Sequence, residues 1–335
     1  MLGTFLYAFN AISPILLLVL GGYYLKIKGI FTQEFFKRVN YFAFHYCFPP
    51  LMFTNLYTLS SIREIDGKLA LYLMSSIVII TVVGVILANI LTKVRNRKGV
   101  LVQAGFRSNF AVIGLPLAEG MTGASGRIVA ASMQAPIVIY FNFMSVLALA
   151  IYSEDAKFDV KKIAKNVISN PMIQGLGIGF LALVIREFIP VDANGELVFS
   201  IQGKLPWFYT TLNYLGRMGT PLCLIALGGQ FNFSDAPSIK KELVAGVLMR
   251  LILAPVIGFG IGYVVSKMGL IQFDPTSISI MIAAFGSPIA TSSAVMAAEM
   301  KGDDVLANQI VVWSCVFSML TVFLMIVGFR SVGLL

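Results

Sequence analysis

Two apolar stretches of this 335-residue chain carry the residues whose types and spacing suit chemistry. In the first, Ser108 and Asn109 precede Gly114-Leu115-Pro116, and Glu119 follows three residues later. In the second, Gly286-Ser287-Pro288 leads into Thr291, Ser292 and Ser293. Proline removes a helical hydrogen bond and clashes with the preceding turn, and glycine loosens the helix beside it. A helix that breaks and restarts exposes unpaired N–H groups and a positive dipole end. Such an end cradles an anion without a buried lysine. The Asn109 amide and the hydroxyls of Ser108, Ser287, Thr291 and Ser292 add donors and acceptors around it. Serine and threonine also pack helices together in membranes, so no single hydroxyl decides the matter. The set suits binding of a small organic anion, not covalent catalysis. The chain has no H-E-x-x-H, no P-loop and one histidine, His45.

These residues need elements to hold them, and composition says of what kind. The chain is 58% hydrophobic and 12% charged, whereas soluble domains carry roughly 25% charged residues. Phe5–Leu25, Leu69–Thr92 and Ile128–Tyr152 contain no Asp, Glu, Lys or Arg, and a spanning helix needs roughly 20 apolar residues. Backbone in lipid must pair within its own segment, so helices are expected; the alternating pattern of a barrel is absent. Apolar runs fall near residues 5–25, 39–60, 69–92, 103–122, 128–152, 166–186, 208–232, 243–266, 276–299 and 305–329. This predicts an all-α polytopic membrane protein with ten transmembrane helices. Arg217 interrupts the seventh run and is expected to snorkel at a membrane face. The first run lacks a basic flank and a cleavage site, so it reads as a retained helix. Cys47, Cys223 and Cys315 are isolated in apolar runs, which argues against disulfides and a zinc site.

The net charge of +9 does not mark a nucleic-acid partner, because the basic residues are spread through short loops. They orient the chain instead. Loops and flanks on one side hold 16 Lys/Arg against 8 on the other. The richer side is cytoplasmic by the positive-inside rule, which places both termini outside an integral plasma (inner) membrane.

The halves resemble each other. Ser13-Pro14 recurs as Ser169-Asn170-Pro171, Pro50-Leu51 as Pro221-Leu222, and Gly114-Leu115-Pro116 as Gly286-Ser287-Pro288. Pro50 to Pro116 is 66 residues and Pro221 to Pro288 is 67. Residues 1–152 then form one five-helix repeat, 153–165 a short cytoplasmic linker, and 166–335 a second repeat. An odd number of spans per repeat makes the second insert upside down. Inverted repeats with interrupted helices at matching positions point to a transporter and its substrate site. Helices 4 and 9 are expected to be broken at Pro116 and Pro288.

Three charges and one imidazole within the apolar segments bear on this site. Glu119 can cap the second half-helix or serve as a coupling carboxylate. Arg250 can bind carbonyls or a carboxylate at an inter-domain contact, the favoured reading, or face the substrate path. Arg107 is taken as a cytoplasmic-side charge that obeys the positive-inside rule, and His45 as a satisfied helix residue. The runs Gly175–Gly179 and Gly258–Gly262 sit inside apolar segments and read as close helix packing.

The stretch Asn109–Gly123, N-F-A-V-I-G-L-P-L-A-E-G-M-T-G, resembles the fourth-helix motif of the auxin efflux carrier family, N-T-L-V-M-G-I-P-L-L-K-G-M-Y-G in plant members. Pro288–Glu299 resembles the ninth-helix stretch ending in A-K-E, and Arg250 with Pro255 resembles the R-F-x-x-x-P pattern of helix 8. The resemblance implies two inverted repeats of five, helices 4 and 9 crossing as in antiporter-like and bile-acid-symporter-like folds, alternating access and a homodimer. It implies carboxylate substrates: malate- or malonate-like acids for bacterial members, auxin for plant ones. Asn109 matches the asparagine that helps bind the carboxylate, and Pro116 and Pro288 match the crossover prolines. Glu119 stands where plant members have lysine, and the Ser153–Lys165 loop is short, both of which suit a bacterial-type member. No cofactor is expected; proton or sodium coupling stays open. The competing reading is a membrane sensor that binds ligand in a transporter fold without moving it.

Overall fold

In the computed structural model, which describes residues 2–57, 66–153, 160–190 and 197–335, the chain is helical throughout. Helix α1 (Leu2–Ile27) is followed by α2 (Gln33–Phe42) and α3 (Phe48–Tyr57), which one wide turn joins into a single rod. After α4 (Gly67–Leu91) come α5 (Arg95–Phe106), α6 (Leu115–Thr122) and α7 (Ala124–Tyr152). The second half holds α8 (Val160–Ile168), α9 (Pro171–Arg186), the single turn α10 (Ile201–Lys204) and α11 (Pro206–Gln230). It ends with α12 (Lys240–Leu248), α13 (Ala254–Lys267), α14 (Pro275–Met281), α15 (Ser292–Glu299) and α16 (Asp304–Ser331). Residues 154–159, six of the thirteen in the expected linker, lie outside the described residues, as do 58–60 at the end of the second expected segment.

The helix starts follow from short polar side chains set before apolar runs. Asp66, Asn170, Asp274 and Asp303 each accept a hydrogen bond from a first-turn amide, and Pro171 and Pro275 follow two of them where no amide is needed. Among the described residues, Gly67–Leu91, Phe233–Lys267 and Asp304–Ser331 are each long and apolar enough to cross a membrane alone. Ala124–Tyr152 is a fourth if its arms, bent by 41° beside Pro136, count as one span. Arg217 is exposed on α11.

The helices pack as two groups, each drawing on both halves of the chain. In one, α1 lies along α11, and α3 lies against both α9 and α11. In the other, α4 and α7 flank α5, α13 lies on α4, and α15 and α12 lie on α16. Close approach in the first group depends on missing side chains. A Cβ on Gly228 would overlap the Val19 carbonyl, and one on Gly22 the Ile225 carbonyl. Gly175 and Gly179 likewise press on the Pro49 and Phe53 backbones, while Gly177 between them faces open space.

Among the described residues, four wide π-turns interrupt the rods: Ala43–Cys47, Phe110–Gly114, Met249–Leu253 and Ile282–Gly286. A proline sits two residues beyond each: Pro49, Pro116, Pro255 and Pro288. The reason is steric. A proline ring clashes with the carbonyl four residues back, and widening the preceding turn moves that carbonyl aside. This corrects the expectation that both prolines break their helices. Pro116 is absorbed, and its helix breaks earlier, at Arg107–Asn109. Pro288 does lie in a break, between Gly286 and Ser292. The two prolines matched in sequence are therefore not at equivalent places.

Candidate functional site

The two breaks lie side by side. Asn109 donates its backbone N–H to the Pro288 carbonyl at 2.8 Å, and Ala290 donates to the Arg107 carbonyl at 3.2 Å. Ser108 and Ile289 thus form an antiparallel bridge. Extended backbone this deeply buried must find partners, and each break supplies them to the other.

Beyond the pairing, both restarted helices line one cavity of about 140 Å³. Ser108 and Asn109 with the turn from Phe110 form one wall, and Ala290, Thr291 and Ser292 form another. Phe141 and Asn142 of α7 close it from their own helix group, while Met52 and Asn55 of α3 and Thr220 of α11 close it from the other group. The cavity therefore sits between the two helix groups. The Asn109 carbonyl collects amides from Val112, Ile113 and Gly114, at 3.3, 2.9 and 3.3 Å, so the side chain is not used as a cap. Asn109 Nδ2 and Ser108 Oγ are buried with no hydrogen-bond partner among the described residues. Leaving a buried donor unpaired costs about 1–3 kcal/mol, and a bound molecule with acceptors would remove that cost.

Arg107 is the charge in this wall. It is only 2% exposed, and its guanidinium donates to Asn142 Oδ1 at 2.9 Å and Ser292 Oγ at 2.8 Å. Met296 Sδ packs against the same group. Among the described residues no carboxylate pairs with it. A buried cation of this kind requires a counter-charge, and the adjoining cavity is where one can sit.

The opposite helix ends converge on a second arginine. Arg250 is 1% exposed and donates to the Gly105 and Phe106 carbonyls at 3.4 and 3.1 Å, the last of α5. Its other terminal nitrogen donates to the Ala284 carbonyl at 3.2 Å and to that of Phe285. Negative helix ends thus meet Arg250 on one side of the paired breaks, and positive ends meet the cavity on the other.

Of the residues singled out from sequence, Ser108, Asn109, Thr291 and Ser292 come together on the cavity. Pro288 contributes its carbonyl to the backbone pairing. Ser287 does not reach the cavity wall; its hydroxyl donates back to the Ala283 carbonyl at 2.6 Å. Pro116 lies in the first turn of α6, away from the wall. Glu119 is not a cap: it lies 3.5 Å from Arg127 in a half-exposed pair. His45 Nδ1 lies 3.0 Å from the Tyr41 carbonyl, and its ring stacks on Tyr41. Arg107 is corrected from a cytoplasmic-side charge to a cavity residue, because its helix begins as early as Arg95. Asn142 was not singled out, although an amide inside the charge-free Ile128–Tyr152 run was the available signal. Among the described residues no cluster of His, Cys, Asp or Glu is placed to hold a metal ion.

The family model described as "Membrane transport protein" matches residues 7–326. The chain belongs to this family, the auxin efflux carriers. Along 323 residues it is 25% identical to an uncharacterized transporter of Methanothermobacter thermautotrophicus, covering 93% of this chain and 95% of that one. An uncharacterized transporter of Methanocaldococcus jannaschii is 24% identical over 78% of this chain and 81% of its own. The protein PIN-LIKES 2 of Arabidopsis thaliana is 26% identical over 49% of this chain and 35% of its own. As an auxin efflux carrier family member the chain is an integral membrane transporter and not an enzyme.

Proposed function

We propose that the chain moves a small organic anion, a carboxylate such as malate, malonate or an auxin-like acid, across the plasma (inner) membrane as a secondary transporter. The observation that carries this reading is the cavity at the paired breaks, where, among the described residues, a buried arginine without a carboxylate partner adjoins two helix N-termini and an unpaired asparagine amide. Charge, dipoles and donors there all favour an acceptor-rich anion. Pockets for drug-sized ligands run roughly 300–1,000 Å³, so a cavity of about 140 Å³ suits a substrate of few atoms.

Ten spans in two inverted repeats of five give this site its place near mid-membrane. Helix pairs α5–α6 and α14–α15 are the crossing broken spans of the two repeats. The excess of basic residues on one side sets that side cytoplasmic, with both termini outside. Alternating access follows if the group holding the breaks moves against the group holding α3 and α11, since the cavity lies on the boundary between them.

Uptake of labelled mono- and dicarboxylates by proteoliposomes tests this, with proton, sodium and no gradient imposed. The reading requires flux of at least one acid that falls in Arg107→Gln. Absence of carboxylate flux under every gradient would overturn it.

A further inference from the structure

Away from the transport cavity, α12 and α16 leave a long apolar groove of about 810 Å³ on the outer surface of the second helix group. Its walls are aliphatic and aromatic: Val244, Leu248 and Ile252 on one side, Trp313 and Phe317 on the other. One end is closed by the turn around Phe233 and Pro237 and by Lys240. From Lys240 to Ile252 the groove runs roughly 18 Å at the helical rise. Half the hydrocarbon thickness of a bilayer is about 15 Å, so the groove spans one leaflet and ends in charge where that leaflet ends.

That end is positive. Lys240 and Lys241 are exposed, border a shallow depression continuous with the groove end, and enter no ion pair among the described residues. Two carboxylates are near in sequence. Glu242 also lines that depression, but its carboxylate is already engaged, accepting from Arg97 at 3.1 Å and Thr92 at 3.0 Å. Asp235 lies in the turn before the lysines, five residues from Lys240. Lys26 adds a third positive charge beside this turn, donating to the Phe231 carbonyl at 2.9 Å and to Asn232 Oδ1. A leaflet-deep apolar channel capped by excess positive charge matches one chemistry, an acyl chain joined to an anionic head group.

We propose that this groove is a binding site for an anionic phospholipid, its acyl chain lying along α12 and α16 and its phosphate held by Lys240 and Lys241. The site is separate from the cavity at the breaks, and it stands whether or not the transported solute is a carboxylate. Zwitterionic lipid fills the channel equally well and carries the same phosphate, but its ammonium offsets that charge, so it gains less from the lysines.

The chain supplies its own reporter. It has two tryptophans, Trp207 and Trp313, and Trp313 is fixed in the groove by donating to Gln309 Oε1 at 3.1 Å. The full chain carrying Trp207→Phe is reconstituted in phosphatidylcholine vesicles with a small fraction of acyl-brominated phosphatidylglycerol. Quenching of Trp313 is compared with that by the same fraction of brominated phosphatidylcholine. Preference for the anionic lipid is expected, on the order of five-fold for each lysine. It should vanish in Lys240→Gln/Lys241→Gln and persist in Lys240→Arg/Lys241→Arg. Equal quenching by both lipids overturns the proposal, as does a preference unchanged by the glutamine pair. So does a Trp313 shielded from every lipid, the result expected if a second copy of the chain covers the groove.

Discussion

Arg250 carries no ion pair among the described residues, yet it joins the helix ends that lead into the two breaks, and its replacement has a calculable cost. One terminal nitrogen serves the last carbonyls of α5 and the other serves Ala284 and Phe285. At this depth no bulk water replaces a lost donor. Arg250→Gln shortens the side chain and removes the fork, leaving at least one carbonyl at each helix end unpaired. At about 1–3 kcal/mol for each, the loss is roughly 2–6 kcal/mol. For domains of a few hundred residues 1 kcal/mol corresponds to about 2 °C in Tm, so the apparent Tm in detergent should fall by about 4–12 °C. Arg250→Lys keeps the charge, but as a point donor it cannot span both helix ends; it should fall between wild type and Arg250→Gln. Thermal unfolding of the three purified proteins at one protein and detergent concentration reads this order. A glutamine variant within about 1 °C of wild type refutes the bridging role. A lysine variant equal to wild type would show that charge alone, not the fork, holds the two ends.

Further expectations follow from the helix packing and from one ion pair. Gly228→Ala places a methyl group on the Val19 carbonyl, so α1 and α11 must separate; overpacking of this kind costs about 1–3 kcal/mol. Gly177→Ala, which meets nothing within 4 Å, should leave Tm and the monodisperse fraction on size exclusion unchanged. Glu119→Gln removes a half-exposed pair with Arg127 and should shift stability by no more than about 1 kcal/mol. A larger loss in thermal unfolding would mean that the carboxylate has a partner besides Arg127.

Much of this architecture was written in residue types that act locally. Charge-free apolar runs mark helices, and Asp66, Asn170, Asp274 and Asp303 mark their starts through one side-chain oxygen each. The close-packed glycines of α9 were legible as a stripe, though which of them touches α3 depends on helix phase. Ser108, Asn109, Thr291 and Ser292 were legible as polar residues beside expected breaks, and they line one cavity. Pro116 misled because its disruption can be spread over a wide turn, and a single sequence does not say whether a helix widens or snaps. Arg107 misled for a different reason. Helix α5 already runs from Arg95 to Phe106, and this carries Arg107 away from the expected cytoplasmic side to the break. Asn142 became meaningful only through its hydrogen bond from Arg107, thirty-five residues away in sequence. The pairing of the breaks with each other is a tertiary fact with no local signature.

The most direct test of the central claim is binding of a panel of mono- and dicarboxylates to the purified chain, read as ligand-induced thermal stabilisation. Wild type is compared with Asn109→Ala and Arg107→Gln. The account expects at least one acid to stabilise wild type in a saturable way. Losing a charge-assisted hydrogen bond is worth roughly 1.5–3 kcal/mol, so Arg107→Gln should weaken that binding about 10-fold or more. Asn109→Ala should weaken it by a smaller factor, since the Asn109 amide is neutral. Saturable carboxylate binding that is indifferent to both substitutions would place the anion elsewhere and contradict the account.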